Sequence, residues 1–115
     1  MTQRTIPLDA QNALILATAP LMMVVPYLLT FSPGVGLLTF FVGALLMGGA
    51  LASSTRSIPV TTHAEFNWAL GLGTVLIGII AGIYGQPLAT TIFLVGFGSA
   101  HLALTASTRY SARGA

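Results

Sequence analysis

Four runs of mainly apolar residues, each close to 20 residues long, follow one another along the chain. They cover approximately Gln11–Phe31, Gly34–Ser53, His63–Tyr84 and Leu88–Ser107. An α-helix needs about 20 such residues to cross the hydrocarbon core of a bilayer. Strands of a membrane β-barrel would instead alternate over ~10-residue segments, and that alternation is absent. The pattern therefore predicts an all-α polytopic membrane protein, with residues 1–115 forming one membrane domain of four transmembrane helices.

The composition supports a lipid environment. Of the 115 residues 55% are hydrophobic and 5% are charged, whereas a water-soluble domain carries about a quarter of its residues as charged side chains. The net charge of +2 comes without a basic run, so no nucleic-acid partner is expected. Cysteine is absent and there are two carboxylates. We therefore expect no catalytic residues, no metal site and no enzyme activity.

Capping signals mark the ends of the predicted helices. Asp9 is a candidate N-cap for helix 1, and Ser32–Pro33 supplies a cap and an N1 proline for helix 2. Thr62 and Glu65 have the spacing of a capping box, which would begin helix 3 at residue 63. The segment Gly85–Pro87 ends helix 3 and begins helix 4. Short connections of this kind predict antiparallel helical hairpins.

The arginines predict the orientation in the membrane. All four lie on one side of a four-span arrangement: Arg4, Arg56, Arg109 and Arg113. Because positive residues collect on the cytoplasmic side, both termini are expected in the cytoplasm of a bacterial cell, with the chain integral to the cytoplasmic membrane. Arg56 and Arg109 end two of the helices and are candidates for contact with lipid headgroups.

The second half of the chain repeats features of the first. An offset of 53 residues lays Ala103–Arg109 over Ala50–Arg56, and it pairs Phe40, Val42 and Gly43 with Phe93, Val95 and Gly96. We interpret this as a duplicated hairpin, with repeat 1 at about 11–57 and repeat 2 at about 63–110. Each repeat has two spans, so the repeats would run parallel, related by an axis along the membrane normal. Chance similarity between apolar helices is the alternative.

The first hairpin resembles a known family. Val25–Phe31 (VPYLLTF) lies in an apolar span and is followed by a turn with Pro and Gly and then by Phe41–Leu45 (FVGAL). This arrangement resembles the small bacterial integral membrane proteins with the SPW repeat, in which a Ser-Pro-Trp element near the end of one span precedes a turn and a second span. Here Val25 and Tyr27 stand in place of Ser and Trp. The resemblance covers about half of the chain and implies two-span hairpins of unassigned activity.

Small residues recur four positions apart in three of the helices. This spacing lets helix backbones approach closely, which drives helix association in lipid. We predict packing at Ala44, Gly48 and Ala52 in helix 2, Thr74, Gly78 and Gly82 in helix 3, and Gly96 and Ala100 in helix 4. Spacing does not reveal whether each face meets the same chain or another. We expect a homo-oligomer or docking onto a larger membrane complex.

Two prolines and one histidine are the remaining candidates for function. Pro20 and Pro26 lie inside helix 1 and predict a kink, or alternatively a transporter-like substrate site at the freed carbonyls. His101 lies well inside helix 4 and could ligate a haem or chlorin, with Gly98 making room for the ring, or relay a proton. A neutral, hydrogen-bonded His101 is the simpler reading. His63 is expected too far towards water to supply a second ligand.

These features favour a structural or accessory membrane subunit in contact with membrane lipids. The alternative is a small transporter or channel for a neutral or lipidic molecule, since Asp9 and Glu65 both fall outside the hydrocarbon and could not couple protons to the export of cations. Pigment or haem binding at His101 is the third hypothesis.

Overall fold

The computed structural model describes residues 6–55 and 58–109. Within these ranges the helices are α1 (Leu8–Leu28), α2 (Pro33–Ser54), α3 (Val60–Ile83) and α4 (Leu88–Ser107). Two short strands pair in parallel: β1 (Ile6–Pro7) precedes α1 and β2 (Thr108–Arg109) follows α4. All four helices are long and apolar enough to cross a membrane. The prediction of an all-α chain with four helices of spanning length is thus confirmed, with boundaries within three residues of those expected.

The helices pack as two hairpins side by side. α1 packs mainly against α2, α3 mainly against α4, and the hairpins meet chiefly along α2 and α3. α1 and α4 touch little, and the β1–β2 pairing joins them at the end of the bundle where α1 begins and α4 ends. We call this the terminal end and the opposite one the turn end. The bundle is flattened, measuring 44 × 30 × 19 Å.

Each helix buries one narrow stripe and exposes apolar side chains elsewhere. In α2 the buried positions recur every three or four residues: Thr39, Gly43, Leu46, Ala50 and Ser53. Large apolar side chains on the outside include Leu28, Ile83 and Leu88, each more than 70% exposed. A soluble monomer rarely leaves so much apolar surface in water. This outward-facing apolar surface suits a lipid environment.

The apolar interior has two layers. Nearer the terminal end, Ile15 and Ala19 of α1 pack against Leu46 and Ala50 of α2. Nearer the turn end the buried members are Met22, Phe31 and Leu94. Phe31 meets Phe93 edge to face with ring centroids 6.1 Å apart, and the α1–α2 turn thereby contacts α4. Apolar contacts therefore join the hairpins in both layers.

One glycine in each hairpin allows the two helices to cross closely. A Cβ on Gly43 would lie 3.1 Å from the Ala19 carbonyl oxygen, and a Cβ on Gly98 would lie 3.1 Å from that of Gly71. Gly96, which the 53-residue offset pairs with Gly43, has no atom within 4 Å of such a Cβ. The residue that takes the place of Gly43 in the second hairpin is therefore Gly98, 55 positions later.

Two of the predicted caps are wrong. α1 begins at Leu8 with Pro7 as its N-cap, so Asp9 lies within the first turn. α3 begins at Val60 with Pro59 as its N-cap, so Thr62 is already helical and forms no capping box. In both cases proline, with its fixed φ and no N–H, begins the helix earlier than the polar signal predicted. Ser32 does occupy the N-cap of α2, followed by Pro33, although its side chain makes no cap hydrogen bond.

The two hairpin turns have the same geometry. In the second, Gly85 has φ +82°, and the Gln86 N–H donates to the Ala81 carbonyl at 2.9 Å. In the first, Thr30 has φ +52°, and the Phe31 N–H donates to the Pro26 carbonyl at 2.9 Å. Both are helix ends with a left-handed residue after the C-cap. Glycine adopts this conformation freely, whereas a β-branched residue is strained there.

We therefore predict that Thr30→Gly raises the free energy of unfolding by about 1 kcal/mol, since a left-handed non-glycine residue costs roughly 1–2 kcal/mol. Gly85→Ala should lower it by about the same amount, for the same conformational reason. Unfolding of the protein in mixed micelles, followed by circular dichroism, measures both. A lower free energy of unfolding for Thr30→Gly would contradict the claim that Thr30 is strained in this conformation.

Candidate functional site

Five polar side chains from three helices are buried together at the terminal end. They come from α1, α2 and α3, and each is at most 4% exposed: Gln11, Asn12, Ser53, His63 and Asn67. We call this group the polar cluster. Burying polar groups is costly unless they are hydrogen-bonded, and lipid offers no water as a substitute. The cluster therefore depends on its internal bonds.

His63 is the centre of the cluster. Its Nε2 lies 3.1 Å from Asn12 Oδ1, 3.2 Å from Gln11 Oε1 and 3.3 Å from Asn67 Nδ2. Two of these neighbours are carbonyl oxygens, which only accept, so we assign the proton to Nε2 and write His63 as the donor. The expectation that His63 faces water is wrong, since its side chain is fully buried. α3 begins a turn earlier than predicted and thus carries His63 inside.

Asn12 and Asn67 complete the network. The Asn12 Nδ2 group donates to Ser53 Oγ at 3.1 Å, which joins α1 to α2. The Asn67 Nδ2 group donates to Gln11 Oε1 at 3.2 Å, which joins α1 to α3. Asn12 thus contacts two other helices through one amide, accepting from His63 and donating to Ser53.

The network connects helices that scarcely touch through their backbones. α1 packs mainly on α2, and α3 mainly on α4, so the bonds from His63 and Asn67 to Gln11 and Asn12 cross between hairpins. Polar side chains that bond across helices commonly hold membrane bundles together. The cluster therefore links the two hairpins at the terminal end, where the apolar layers stop.

His101 of α4 lies beside the polar cluster. Its side chain is 6% exposed and packs against α3 at Gly71, one turn after Asn67. Gly71 permits this approach, because a Cβ there would lie 3.2 Å from the His101 Cδ2 atom and 2.6 Å from the Leu102 Cδ2 atom. The Nε2 atom of His101 is buried and has no hydrogen-bond partner among the described residues.

The space predicted for a haem or chlorin beside His101 is occupied. A Cβ on Gly98 would lie 2.7 Å from the Val75 Cγ2 atom and 2.9 Å from the Val75 nitrogen. Gly98 thus makes room for α3 and not for a ring. The Nε2 of His63, the other histidine, is engaged with Gln11 and Asn12. The described residues also contain no group of three or more His, Cys, Asp or Glu that could hold a metal ion.

A groove of about 310 Å³ opens between α1 and α4, where these helices diverge. Leu14, Thr18 and Leu21 form its α1 side, and Phe97, His101 and Leu104 are on its α4 side. Ligand sites of small molecules are typically apolar clefts of ~300–1,000 Å³ with few polar groups. Here His101 connects an apolar groove on the lipid side with the polar cluster inside.

The small-residue faces have different surroundings. The α3 face is filled by α4 of the same chain: a Cβ on Gly78 would lie 2.9 Å from Leu94 Cβ, and one on Gly82 would lie 2.9 Å from Thr91 Oγ1. The α2 face, with Ala44, Gly48 and Ala52, lines a second groove of about 310 Å³ beside α3. No described atom lies within 4 Å of a Cβ on Gly48.

The other predicted residues give mixed outcomes. On α4, Gly96 has open space around it and Ala100 lines the α1–α4 groove. Pro20 and Pro26 both lie inside α1, which continues as a helix to Leu28. Arg56 and the side chain of Arg109 lie outside the described residues.

Sequence reasoning missed the polar cluster. Its signal was present: Gln11 and Asn12 near the start of one span, and His63 and Asn67 four residues apart near the start of another. Residues four apart share a helix face. Amides and a histidine aligned in this way inside apolar spans would have indicated an interhelical network.

Comparison with known proteins gives no match. No protein-family model matches the sequence, and no curated protein or solved structure is significantly similar to it.

We predict that Asn12→Leu lowers the free energy of unfolding by about 1–2 kcal/mol, because it leaves His63 and Ser53 without one of their bonds. The matched control is Thr18→Val, since exposed Thr18 bonds to its own helix at the Leu14 carbonyl. The free energy of unfolding of both variants is measured in mixed micelles. Equal stability of Asn12→Leu and the wild type would contradict a structural role for the cluster.

Proposed function

We propose that this chain is a non-enzymatic integral membrane protein that acts as a structural or accessory subunit of a homo-oligomer or larger membrane complex. The unfilled face of α2 carries the proposal. Gly48 is exposed, and a Cβ built on it would meet no atom of another described helix within 4 Å, whereas the α3 face of the same type is filled by α4. The same spacing already packs two helices inside this chain, so the α2 face is suited to receive another helix.

A second copy of the chain is the occupant that we favour. In a twofold dimer the same patch meets itself, so one small-residue face is sufficient for both sides. Two copies inserted with the same orientation can be related by an axis along the membrane normal, which brings the two α2 helices together. Ala44 and Ala52 lie one turn on either side of Gly48 and would allow close approach over two turns.

We further propose that the two hairpins arose by duplication and that they belong with SPW-repeat-type proteins. The equal turn geometry at Thr30 and Gly85, and the equal crossings at Gly43 and Gly98, support duplication with an offset of 55 residues. The arginine distribution supports a bacterial cytoplasmic membrane with both termini in the cytoplasm. Arg56 and Arg109 would then meet lipid headgroups.

The alternative, handling of a neutral or lipidic molecule, is favoured by one observation. The α1–α4 groove opens where the hairpins diverge and has His101 in its wall. Self-association and the binding of such a molecule are compatible in one subunit, since the α2 face and this groove are on different helices.

The test of self-association is Gly48→Leu. The new side chain enters open space within the chain, so folding should be preserved, whereas the approach of a second α2 is blocked. We expect the dissociation constant of the dimer to rise about tenfold or more, which corresponds to about 1.4 kcal/mol. Dilution in mild micelles, followed by native mass spectrometry, measures it.

Gly96→Leu is the matched control. Gly96 is also exposed inside a spanning helix with no described atom within 4 Å of a Cβ, but it lies on α4, which packs mainly on α3. It should leave the dissociation constant unchanged. A wild-type protein that is monomeric and without larger companions in native membrane extracts would overturn the proposal; equal effects of both substitutions would overturn the assignment to α2.

A further inference from the structure

The two hairpins bury equivalent positions. Each buried residue of α2 has a buried counterpart 55 residues later, in α4 or directly after it: Thr39 with Leu94, Gly43 with Gly98, Leu46 with His101, Ala50 with Thr105, and Ser53 with Thr108. Asn12 of α1 corresponds in the same way to Asn67 of α3, and both are buried. Because both hairpins turn the same positions inwards, two first hairpins (α1 with α2) could pair in place of a first and a second hairpin (α3 with α4). A feature that distinguishes the hairpins must select between these pairings.

The polar cluster distinguishes the hairpins by the direction of its hydrogen bonds. Three bonds among the described residues cross between the hairpins, and with the proton on Nε2 of His63 each has its donor in the second hairpin and its acceptor in the first. The donors belong to His63 and Asn67, and the acceptors are the side-chain oxygens of Gln11 and Asn12. The counterpart of His63 in the first hairpin is Leu8, which has no polar side-chain group. At the terminal end the first hairpin therefore presents acceptors and the second presents donors.

Ser53 of α2 decides which side of the Asn12 amide faces the second hairpin. A side-chain amide has an acceptor oxygen and a donor nitrogen, and turning the amide over exchanges them. The Asn12 Nδ2 group donates to Ser53 Oγ at 3.1 Å, so Oδ1 is directed to His63. Thr108, the counterpart of Ser53, instead donates its hydroxyl to the Leu104 carbonyl at 2.6 Å. The hydroxyl on α2 thus fixes the first hairpin as the acceptor.

A pair of first hairpins would bring acceptors against acceptors. Each hairpin would present the oxygens of Gln11 and Asn12, and lipid supplies no water that could satisfy them. Unpaired buried polar groups reject a partner even where the surrounding shapes match.

We propose that Ser53 is a specificity-determining residue of the bundle. By holding the Asn12 amide, it makes the terminal end of the first hairpin a surface for a second hairpin and excludes the first hairpin of another copy. Neighbouring copies in one membrane are thereby kept from exchanging hairpins in the wrong combination. The inference does not rest on self-association through α2, in which the hairpins stay paired within each chain.

Pairing of like hairpins can be measured by crosslinking, because the chain has no cysteine. Ile15 is 1% exposed and its counterpart, Leu70, packs in the same apolar layer, so a pair of first hairpins would place Ile15 of each copy side by side. Full-length Ile15→Cys in the membrane is treated with a short bifunctional methanethiosulfonate. We expect little covalent dimer with Ser53 in place and about fivefold more with Ser53→Ala, since one hydrogen bond no longer discriminates. Ser53→Thr keeps an acceptor hydroxyl and should return the yield to the lower level.

Leu14→Cys is the matched control. Leu14 is next to Ile15 but is 48% exposed, so its crosslinking reports encounters between whole bundles and should be similar in all three Ser53 backgrounds. A dimer through the α2 face leaves Ile15 inside each bundle. The presence or absence of that dimer therefore does not affect the result at position 15.

A second readout follows His63 by NMR of ¹⁵N-histidine in micelles. We expect the proton on Nε2 in the wild type. Ser53→Ala should shift the Nε2 signal, because the oxygen of Asn12 is no longer held as its acceptor, and Ser53→Thr should restore it. A serine that only filled space would leave this signal unchanged.

Four results would overturn the proposal. Ser53→Ala could fail to increase the covalent dimer of Ile15→Cys, or the wild-type background could already give as much of it. Equal increases at positions 14 and 15 would show general aggregation. An unchanged His63 signal in Ser53→Ala would show that Ser53 does not hold the Asn12 amide.

Discussion

The hydrogen bonds that His63 and Asn67 make to Gln11 and Asn12 join helices that scarcely touch otherwise. In lipid, apolar side chains gain little from leaving their surroundings, because hydrocarbon is as apolar as the protein interior. A buried amide or imidazole, by contrast, has no alternative partner once water is excluded. The polar cluster therefore holds α1 against α3 at the terminal end, and the register of the two hairpins follows from it.

The rest of the bundle is consistent with this constraint. Close crossings at Gly43 and Gly98 hold each hairpin together, and the β1–β2 pair joins the outer helices at the terminal end. Between that pair and the turn end α1 and α4 diverge, and the groove opens there. His101 lies between this groove and the cluster, because Gly71 admits it to the surface of α3. The β1–β2 pair thus joins α1 and α4 at the terminal end and leaves the groove open further along these two helices.

Much of the architecture could be predicted from the pattern of apolar residues, because four runs of spanning length leave few arrangements. The helix starts were less predictable: Pro7 and Pro59 begin α1 and α3 ahead of the polar residues that resemble caps. That shift of one turn moved His63 from the expected interface into the interior. The cluster itself needs side chains from three helices, and no pattern within a single helix indicates that these side chains are in contact. Nor does spacing distinguish Gly78, filled by α4, from Gly48, which is open.

A double-mutant cycle between Gln11 and His63 tests the central role of the cluster most directly. Unfolding free energies of Gln11→Leu, His63→Leu and the double variant, measured in the same micelles, isolate the energy of interaction between the hairpins. We expect a coupling of about 0.5–2 kcal/mol, with the double variant destabilised by less than the sum of the two single variants. Strict additivity would contradict it, because the two side chains would then contribute independently and something else would hold α1 to α3.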